Sequence, residues 1–161
     1  MRERRSAGPS FGKLTLNPLF AYLRALQFPP REFLVAGSAP LMVHGFRESI
    51  ADLDVVARGS AWVTAQGLGD AQPAPYQGCR SVKLFDGAVE VLDRWFPEQY
   101  SLDEVFARAE NIDGFNFMTV AETLTWKRQL RRPKDLADVD LALAKRPHSP
   151  GPGIKAQHLA A

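Results

Sequence analysis

Cysteine and long apolar runs are both scarce in this sequence. A single cysteine, Cys79, stands among 161 residues, which excludes an internal disulfide and any cysteine-rich zinc site. No run approaches the roughly 20 apolar residues that a membrane span requires. The basic start, MRERRSAGPSFG, leads into no apolar segment of signal-peptide length. We therefore expect a cytoplasmic protein that has no membrane partner.

An excess of charge of one sign is absent as well. The formal net charge is +2, and charged residues make up 24% of the chain. This mild basic bias is not the signature of a protein dedicated to nucleic acid. Five basic residues nevertheless cluster in WKRQLRRPK, between Lys127 and Lys134. They are either a contact for phosphates or the solvated face of a helix, which is the commoner case.

The length and composition suit one globular domain. Hydrophobic residues make up 45% of the sequence, which allows a single buried core. Pro, Gly and small residues are frequent at both ends, and we predict flexible segments over 1–13 and 147–161. One domain is then expected over 14–146.

Local patterns in this domain predict an alternation of helices and strands. Helices are expected at NPLFAYLRAL, where Asn17 serves as the cap, at SAPLMVHGF and at SAWVTAQGL. Strands are expected at EFLVAG and LDVVA, followed by a hairpin with Asp86-Gly87 as its tight turn.

Three further helices are expected after the hairpin. Ser101 with Glu104 and Thr119 with Glu122 fit the spacing of a capping box, and a proline fits the first turn of a last helix at PKDLADVDLAL. The layout predicts an α+β fold in which helices pack on a small mixed β-sheet and the chain ends in C-terminal helices.

Two aspartates in the strand region ADLDVV carry the first chemical signal. Side chains alternate along a strand, so Asp52 and Asp54 share one face while Leu53 points into the core. Two carboxylates this close repel each other unless a cation lies between them, and magnesium favours such oxygen ligands together with phosphates. The alternative is an ordinary strand end.

A third acidic residue lies on the second strand of the predicted hairpin. Glu90 stands between two valines in AVEVL, whereas Asp93 falls on the opposite face of that strand. Glu90 is thus either the third acid of a metal site or an exposed residue of a half-buried hairpin.

The turn LVAGSAP adds a candidate anion site. Gly37 lets the backbone approach a ligand, and Ser38 offers a hydroxyl at the start of a helix. The alternative is a strand-to-helix turn in which the serine is only a cap. Arg47, in the loop before Asp52, is either a second phosphate contact or a solvated loop charge.

Taken together, these motifs resemble the nucleotidyltransferases of the DNA polymerase beta superfamily. The AGS turn precedes DLD by fourteen positions, and a strand with an acid between apolar residues follows. The stretch ETLTWKRQLRRPKDLADVDLAL is similar to the lysine helix and the K-D-x-x-D helix of the AbiEii-type branch, known for bacterial toxin and phage-defence proteins. The resemblance covers roughly residues 32 to 144.

The resemblance implies a role for each of the motif residues. Gly37 and Ser38 would hold the β- and γ-phosphates of a nucleoside triphosphate. Asp52 and Asp54 would bind two magnesium ions, and Glu90 would share one of them and help to deprotonate an acceptor hydroxyl.

The C-terminal motifs add residues on the phosphate side. Lys127 would reach the triphosphate from its helix, and Lys134 and Asp135 would match the last motif. We assign Asp138 by helical spacing as a partner of Lys134 or Arg131 on its own helix.

The sequence thus predicts a metal-dependent nucleotidyltransferase that moves a nucleoside monophosphate from an NTP to a hydroxyl of an RNA end, a protein or a small molecule. The alternative is a degenerate protein of the same fold that binds nucleotide and acts as an antitoxin or regulatory partner. Intact Asp52, Asp54, Ser38 and Lys127 favour the enzyme. Ile50, where the branch commonly has Thr or Ser, and a third acid other than Asp favour the alternative.

Overall fold

The computed structural model describes residues 14, 16–75, 78–95 and 101–145. The flexible segments expected over 1–13 and 147–161 lie outside these residues. Within the described part of the chain, six helices and seven strands run in the order α1 Pro18–Leu26, β1 Phe33–Val35, α2 Ala39–Val43, β2 Leu53–Ala57, α3 Gly59–Leu68, β3 Gln72–Pro73, β4 Arg80–Leu84, β5 Val89–Leu92, α4 Leu102–Arg108, β6 Glu110–Ile112, β7 Phe115–Phe117, α5 Val120–Leu130 and α6 Pro133–Ala144.

The strands of the described residues form one mixed sheet in the order β3-β4-β5-β2-β1-β7-β6. Two neighbouring pairs, β2 with β5 and β1 with β7, run parallel. The other pairs are antiparallel. The predicted α+β fold, with helices packed on a mixed sheet and two helices at the C-terminal end, is confirmed.

Strand alternation divides the core between the two faces of the sheet. Val35 and Val55 pack in the cluster that includes α1 and α3. Leu34 and Val56 point the other way, into a cluster with residues of α4 and α5. Because Asp54 lies two residues before Val56, its side chain lies on this second face, at the point where the apolar cluster gives way to polar residues.

Several predicted local signals are confirmed in the structure. The Asn17 side chain accepts a hydrogen bond from the Leu19 amide at the start of α1. The Phe85 carbonyl accepts a hydrogen bond from the Ala88 amide (3.0 Å), which closes the predicted turn over Asp86 and Gly87 between β4 and β5. Asp86 and Gly87 have left-handed φ angles of 54° and 85°, as this class of hairpin turn requires.

The predicted layout was wrong in placing only helices after the first hairpin. A second hairpin, β6–β7, follows α4 and pairs with β1. Its turn is Asp113-Gly114, again with positive φ angles of 52° and 82°. The Asp-Gly pair in ENIDGFNF was the available signal, but its strands of three residues each are too short to show an alternating pattern. The short strand β3 was also missed.

No helix in the described residues is both long enough and apolar enough to cross a membrane.

Candidate functional site

A polar cavity of about 370 Å³ opens where β1, β2 and β5 meet α5 and α6. Eight of the predicted site residues line it: Gly37, Ser38, Arg47, Asp52, Asp54, Glu90, Lys127 and Lys134. Other residues of the wall, not assigned from the sequence, include Pro75, Trp126, Arg132 and Asp138. Residues as far apart in the chain as Gly37 and Asp138 therefore surround one space, which holds both carboxylates and cations.

The carboxylate side is built by the parallel pairing of β2 with β5. Asp54 and Glu90 are Cα partners in this register, so their side chains stand next to each other on the same face. Leu53 and Val55 are fully buried on the opposite face. The expectation that Glu90 faces the same pocket as Asp54 is confirmed, and Asp93 makes a different contact, accepting a hydrogen bond from the Arg80 amide (2.8 Å).

The carboxylates on this side repel one another, and the nearby positive charges do not fully compensate them. Burial, followed by the negative charges of Asp52 and Glu90, raises the pKa of the Asp54 carboxyl from 3.8 to about 7. The positive charges of Lys127 and Lys134 act in the opposite direction but do not cancel the increase. A cation that bound here would relieve both the repulsion and the cost of burying the charge.

The donor set suits magnesium by its chemistry. Asp52, Asp54 and Glu90 offer the hard oxygen ligands that Mg²⁺ prefers, and Mg²⁺ is usually held by one or two carboxylates together with water and substrate phosphates. Among the described residues, no group of three or more His, Cys, Asp or Glu side chains is arranged to hold a metal ion as it stands. The three carboxylates therefore form one wall of the cavity rather than a closed cage.

Gly37 lies directly against the carboxylate wall. Its φ of +64° favours glycine, and a Cβ at this position would lie 2.5 Å from Asp54 Oδ2. The sequence explained this glycine by the approach of a ligand to the backbone. The structure adds a second reason, because the missing side chain leaves the space that the Asp54 carboxylate occupies.

Ser38 begins α2, but its hydroxyl does not cap that helix within the described structure. The Ser38 Oγ instead accepts a hydrogen bond from Lys127 Nζ (2.9 Å). The simple capping interpretation is therefore wrong, and the hydroxyl faces the cavity. The Ser38 hydroxyl in turn donates a long hydrogen bond of 3.5 Å to Asp138 Oδ2.

Lys127 is buried, with only 2% of its side chain exposed. Besides Ser38, its ammonium group contacts Asp138 Oδ2 at 2.8 Å and Asp135 Oδ1 at 3.5 Å. Ser38 Oγ and Asp135 Oδ1 accept hydrogen bonds from this ammonium group, and the contact with Asp138 is an ion pair. In this arrangement Lys127 influences the cavity through the Ser38 hydroxyl and its own charge.

The interpretation of Asp138 as a partner of Lys134 or Arg131 on its own helix was wrong. Its carboxylate points toward the cavity and accepts hydrogen bonds from Arg47 Nη1 at 2.9 and 3.1 Å, in addition to its contact with Lys127. Arg47 is therefore an ion-pair partner in the wall of the cavity, and the reading of Arg47 as a merely solvated loop charge is wrong. The K-D-x-x-D spacing was the available signal for Asp138.

Asp135 lies behind the cavity wall and is fully buried. Arg132 donates two hydrogen bonds to it, at 2.6 and 3.1 Å. Burial alone would raise the pKa of the Asp135 carboxyl, but the hydrogen bonds and charges of Arg132 and Lys127 hold it below its ordinary value. Its position behind Lys127 corrects the expectation of a nucleotide-contacting residue: Asp135 supports the lysine.

The lining suits a metal-bound polyphosphate, because it offers carboxylate ligands for a cation together with a hydroxyl and positive charges for phosphates. No protein-family model, curated protein or solved structure matches the chain.

Proposed function

We propose that this chain is a metal-dependent nucleotidyltransferase, which moves a nucleoside monophosphate from a nucleoside triphosphate to an acceptor hydroxyl. The observation that carries the proposal is the register that sets Asp54 beside Glu90, with Asp52, Ser38 and Arg47 lining the same cavity. The resemblance of the AGS, DLD and K-D-x-x-D motifs to the DNA polymerase beta superfamily, AbiEii-type branch, supports the same reaction.

The reaction is a displacement at the α-phosphorus. The acceptor oxygen forms a bond to phosphorus as the bond to the pyrophosphate oxygen breaks, and the acceptor proton passes to a carboxylate of the site. Glu90 is placed for this proton because it is the acid beside Asp54 on the neighbouring strand. Two Mg²⁺ ions held by Asp52, Asp54 and Glu90 would supply charge stabilisation to the attacking and departing oxygens.

The phosphate side of the cavity would bind the leaving pyrophosphate. The Ser38 hydroxyl, whose hydrogen bond to Asp138 is long at 3.5 Å, would turn to donate to a phosphate. Arg47 and Lys134 bring positive charge to the same cavity. Such groups stabilise the negative charge that develops on the leaving group, where they have the largest effect on rate. Lys127 contributes by holding Ser38 and by its charge.

The deciding experiment incubates the protein with each α-labelled nucleoside triphosphate, Mg²⁺ and total RNA, a protein extract or small hydroxyl compounds. Label on RNA, on protein or on a small molecule identifies the acceptor class. Glu90→Gln should lower turnover more than nucleotide binding, because this acid acts mainly on the attacking hydroxyl. Asp93→Asn, directly after the same strand and bound to a backbone amide, is the matched control and should retain transfer.

The second candidate is a degenerate relative that binds nucleotide without transferring it, as an antitoxin or regulatory partner. It is favoured by the burial of Lys127 against Ser38, Asp135 and Asp138 and by Ile50 in the cavity wall. Nucleotide binding by calorimetry without transfer to any acceptor would establish this alternative and reject the enzyme.

A further inference from the structure

Asp138 connects three separate parts of the molecule at the cavity. It lies on α6, yet its carboxylate contacts Arg47, from the loop between α2 and β2, and Lys127, from α5. The Ser38 hydroxyl lies 3.5 Å from the same Oδ2 atom. The Asp138 side chain is only 10% exposed, so these contacts are made largely out of water.

Asp138 and Asp135 both touch Lys127, but their surroundings differ. Asp135 is fully buried behind the wall and is held by two hydrogen bonds from Arg132. Asp138 forms part of the cavity wall and, among the described residues, is the carboxylate that contacts both Lys127 and Arg47. The shorter distance to Lys127 also belongs to Asp138, at 2.8 Å against 3.5 Å.

We propose that Asp138 is a positioning residue for the phosphate side of the cavity. This inference rests on the proposed function. Asp138 holds Lys127 beneath Ser38 and holds Arg47 at the rim of the cavity, so that the serine hydroxyl and the guanidinium face the phosphates together. Asp138 itself touches neither the nucleotide nor the acceptor. Its effect on the reaction passes through these two cations and Ser38.

The physical basis is the cost of leaving a buried charge without its partner. If Asp138 loses its charge, the buried Lys127 ammonium keeps one carboxylate at 3.5 Å, and the Arg47 guanidinium is free to turn to solvent. Breaking one partner of a buried ion pair in this way is strongly unfavourable. The side chains then move to regain partners, and the orientation of Ser38 and Arg47 is lost.

The test compares Asp138→Asn with Asp140→Asn, which removes the same charge from an exposed position of the same helix. The first measurement is the ¹⁵N NMR signal of the Lys127 ammonium, identified by its absence in Lys127→Arg. We expect the signal in the wild-type protein and in Asp140→Asn, and its loss to water exchange in Asp138→Asn. A signal that persists in folded Asp138→Asn overturns the proposal.

The second measurement separates positioning from a general structural role. In Asp138→Asn, kcat with Mg²⁺ and nucleoside triphosphate should fall by about 10-fold or more. The affinity for inorganic tripolyphosphate without metal should fall less than kcat, because the lost negative charge offsets part of the lost orientation of Ser38 and Arg47. An unchanged kcat, or a kcat that falls no more than the tripolyphosphate affinity, rejects the positioning role.

Asp138→Glu keeps the test decisive if Asp138→Asn does not fold. Glutamate retains the charge but shifts the carboxylate by one methylene, so the protein should fold and kcat should still fall. An unchanged kcat in this variant contradicts positioning. If the wild-type protein transfers no nucleotide, the proposed function is rejected whatever the NMR spectra show. The Lys127 signal in Asp138→Asn tests the role of Asp138 separately, because this measurement does not require turnover.

Discussion

The Asp54 carboxylate is unfavourable to bury in the fold, but it is also a candidate ligand for a metal ion in the cavity. Its carboxyl is desolvated by burial and lies near the charges of Asp52 and Glu90, which together raise its pKa from 3.8 to about 7. A carboxyl with a raised pKa favours folding in acid, where it is protonated. That contribution is lost as the pH rises from about 4 through about 7.

Asp54→Asn should therefore stabilise the protein at alkaline pH while it abolishes transfer. We expect a gain on the order of 2 kcal/mol at about pH 8 and none at about pH 4, since an amide has no charge to desolvate. Urea denaturation at both pH values measures the change in free energy of unfolding. Asp140→Asn is the control for charge removal at an exposed position, and a variant less stable than wild type at about pH 8 would contradict the repulsion.

Gly37 offers a second test at the scale of the residue. Gly37→Ala and Gly45→Ala both place alanine at a positive φ, +64° and +80°, but only the first brings a Cβ to 2.5 Å from Asp54 Oδ2; the Cβ on Gly45 meets no described atom within 4 Å. Each should lose about 1 kcal/mol to left-handed strain. Gly37→Ala should lose more, because Asp54 must move, and should also weaken Mg²⁺ binding.

Isothermal titration with Mg²⁺ and urea denaturation of both glycine variants check this expectation. Ser38→Ala, which removes a hydroxyl but leaves Asp54 in place, should reduce triphosphate affinity by about 1 kcal/mol and leave Mg²⁺ binding intact. Equal losses of Mg²⁺ affinity in the Gly37 and Gly45 variants would argue against the packing of Gly37 on Asp54.

At the scale of elements, two helix starts with the same sequence signal behave differently. Thr119 caps α5: its Oγ1 accepts a hydrogen bond from the Glu122 amide (3.1 Å) and donates one to Glu122 Oε1 (3.0 Å). Ser101, with Glu104 at the same spacing, makes no side-chain capping bond in the described structure of α4. The spacing of a capping box permits the bond but does not impose it.

Thr119→Ala should destabilise the protein by about 1 kcal/mol, because it leaves helix amides without their partner. Ser101→Ala should change the free energy of unfolding by much less. Urea denaturation measures the free energy of unfolding of both variants. The comparison is direct, because each substitution removes one hydroxyl group at the start of a helix. Equal destabilisation would mean that Ser101 also caps its helix in solution.

At the scale of the whole molecule, metal binding and folding should be linked through Asp54. Its carboxyl must lose a proton to bind Mg²⁺, and a ligand that binds only the folded state stabilises it, by about 2.7 kcal/mol at 100 times Kd. Saturating Mg²⁺ should therefore raise the melting temperature by roughly 5 °C at about pH 8 and by less at about pH 5.5.

Scanning calorimetry at the two pH values, with and without Mg²⁺, measures this linkage. The increase should be largely lost in Asp54→Asn and kept in Asp140→Asn. The same increase at both pH values would show that Mg²⁺ acts elsewhere on the protein.

The sequence by itself determined the local geometry of this protein. The apolar neighbours of Asp54 and Glu90 in LDVVA and AVEVL predicted two strands with an acid on one face, and the structure has both. The sequence also predicted the turn at Asp86-Gly87 and the helix cap at Asn17. These features depend on the backbone periodicity and on hydrogen bonds between residues that are close in the chain. Short stretches of sequence are enough to determine both.

Only the tertiary structure decided which distant residues meet. The parallel register of β2 with β5 sets Asp54 beside Glu90, and the packing of α6 brings Asp138 to Ser38 across a separation of 100 residues. Lys134 lies one turn earlier on the same helix, but Asp138 pairs instead with Arg47 and Lys127. A buried charge takes the partner that global packing brings to it, because the gain depends on distance and desolvation rather than on spacing in the chain.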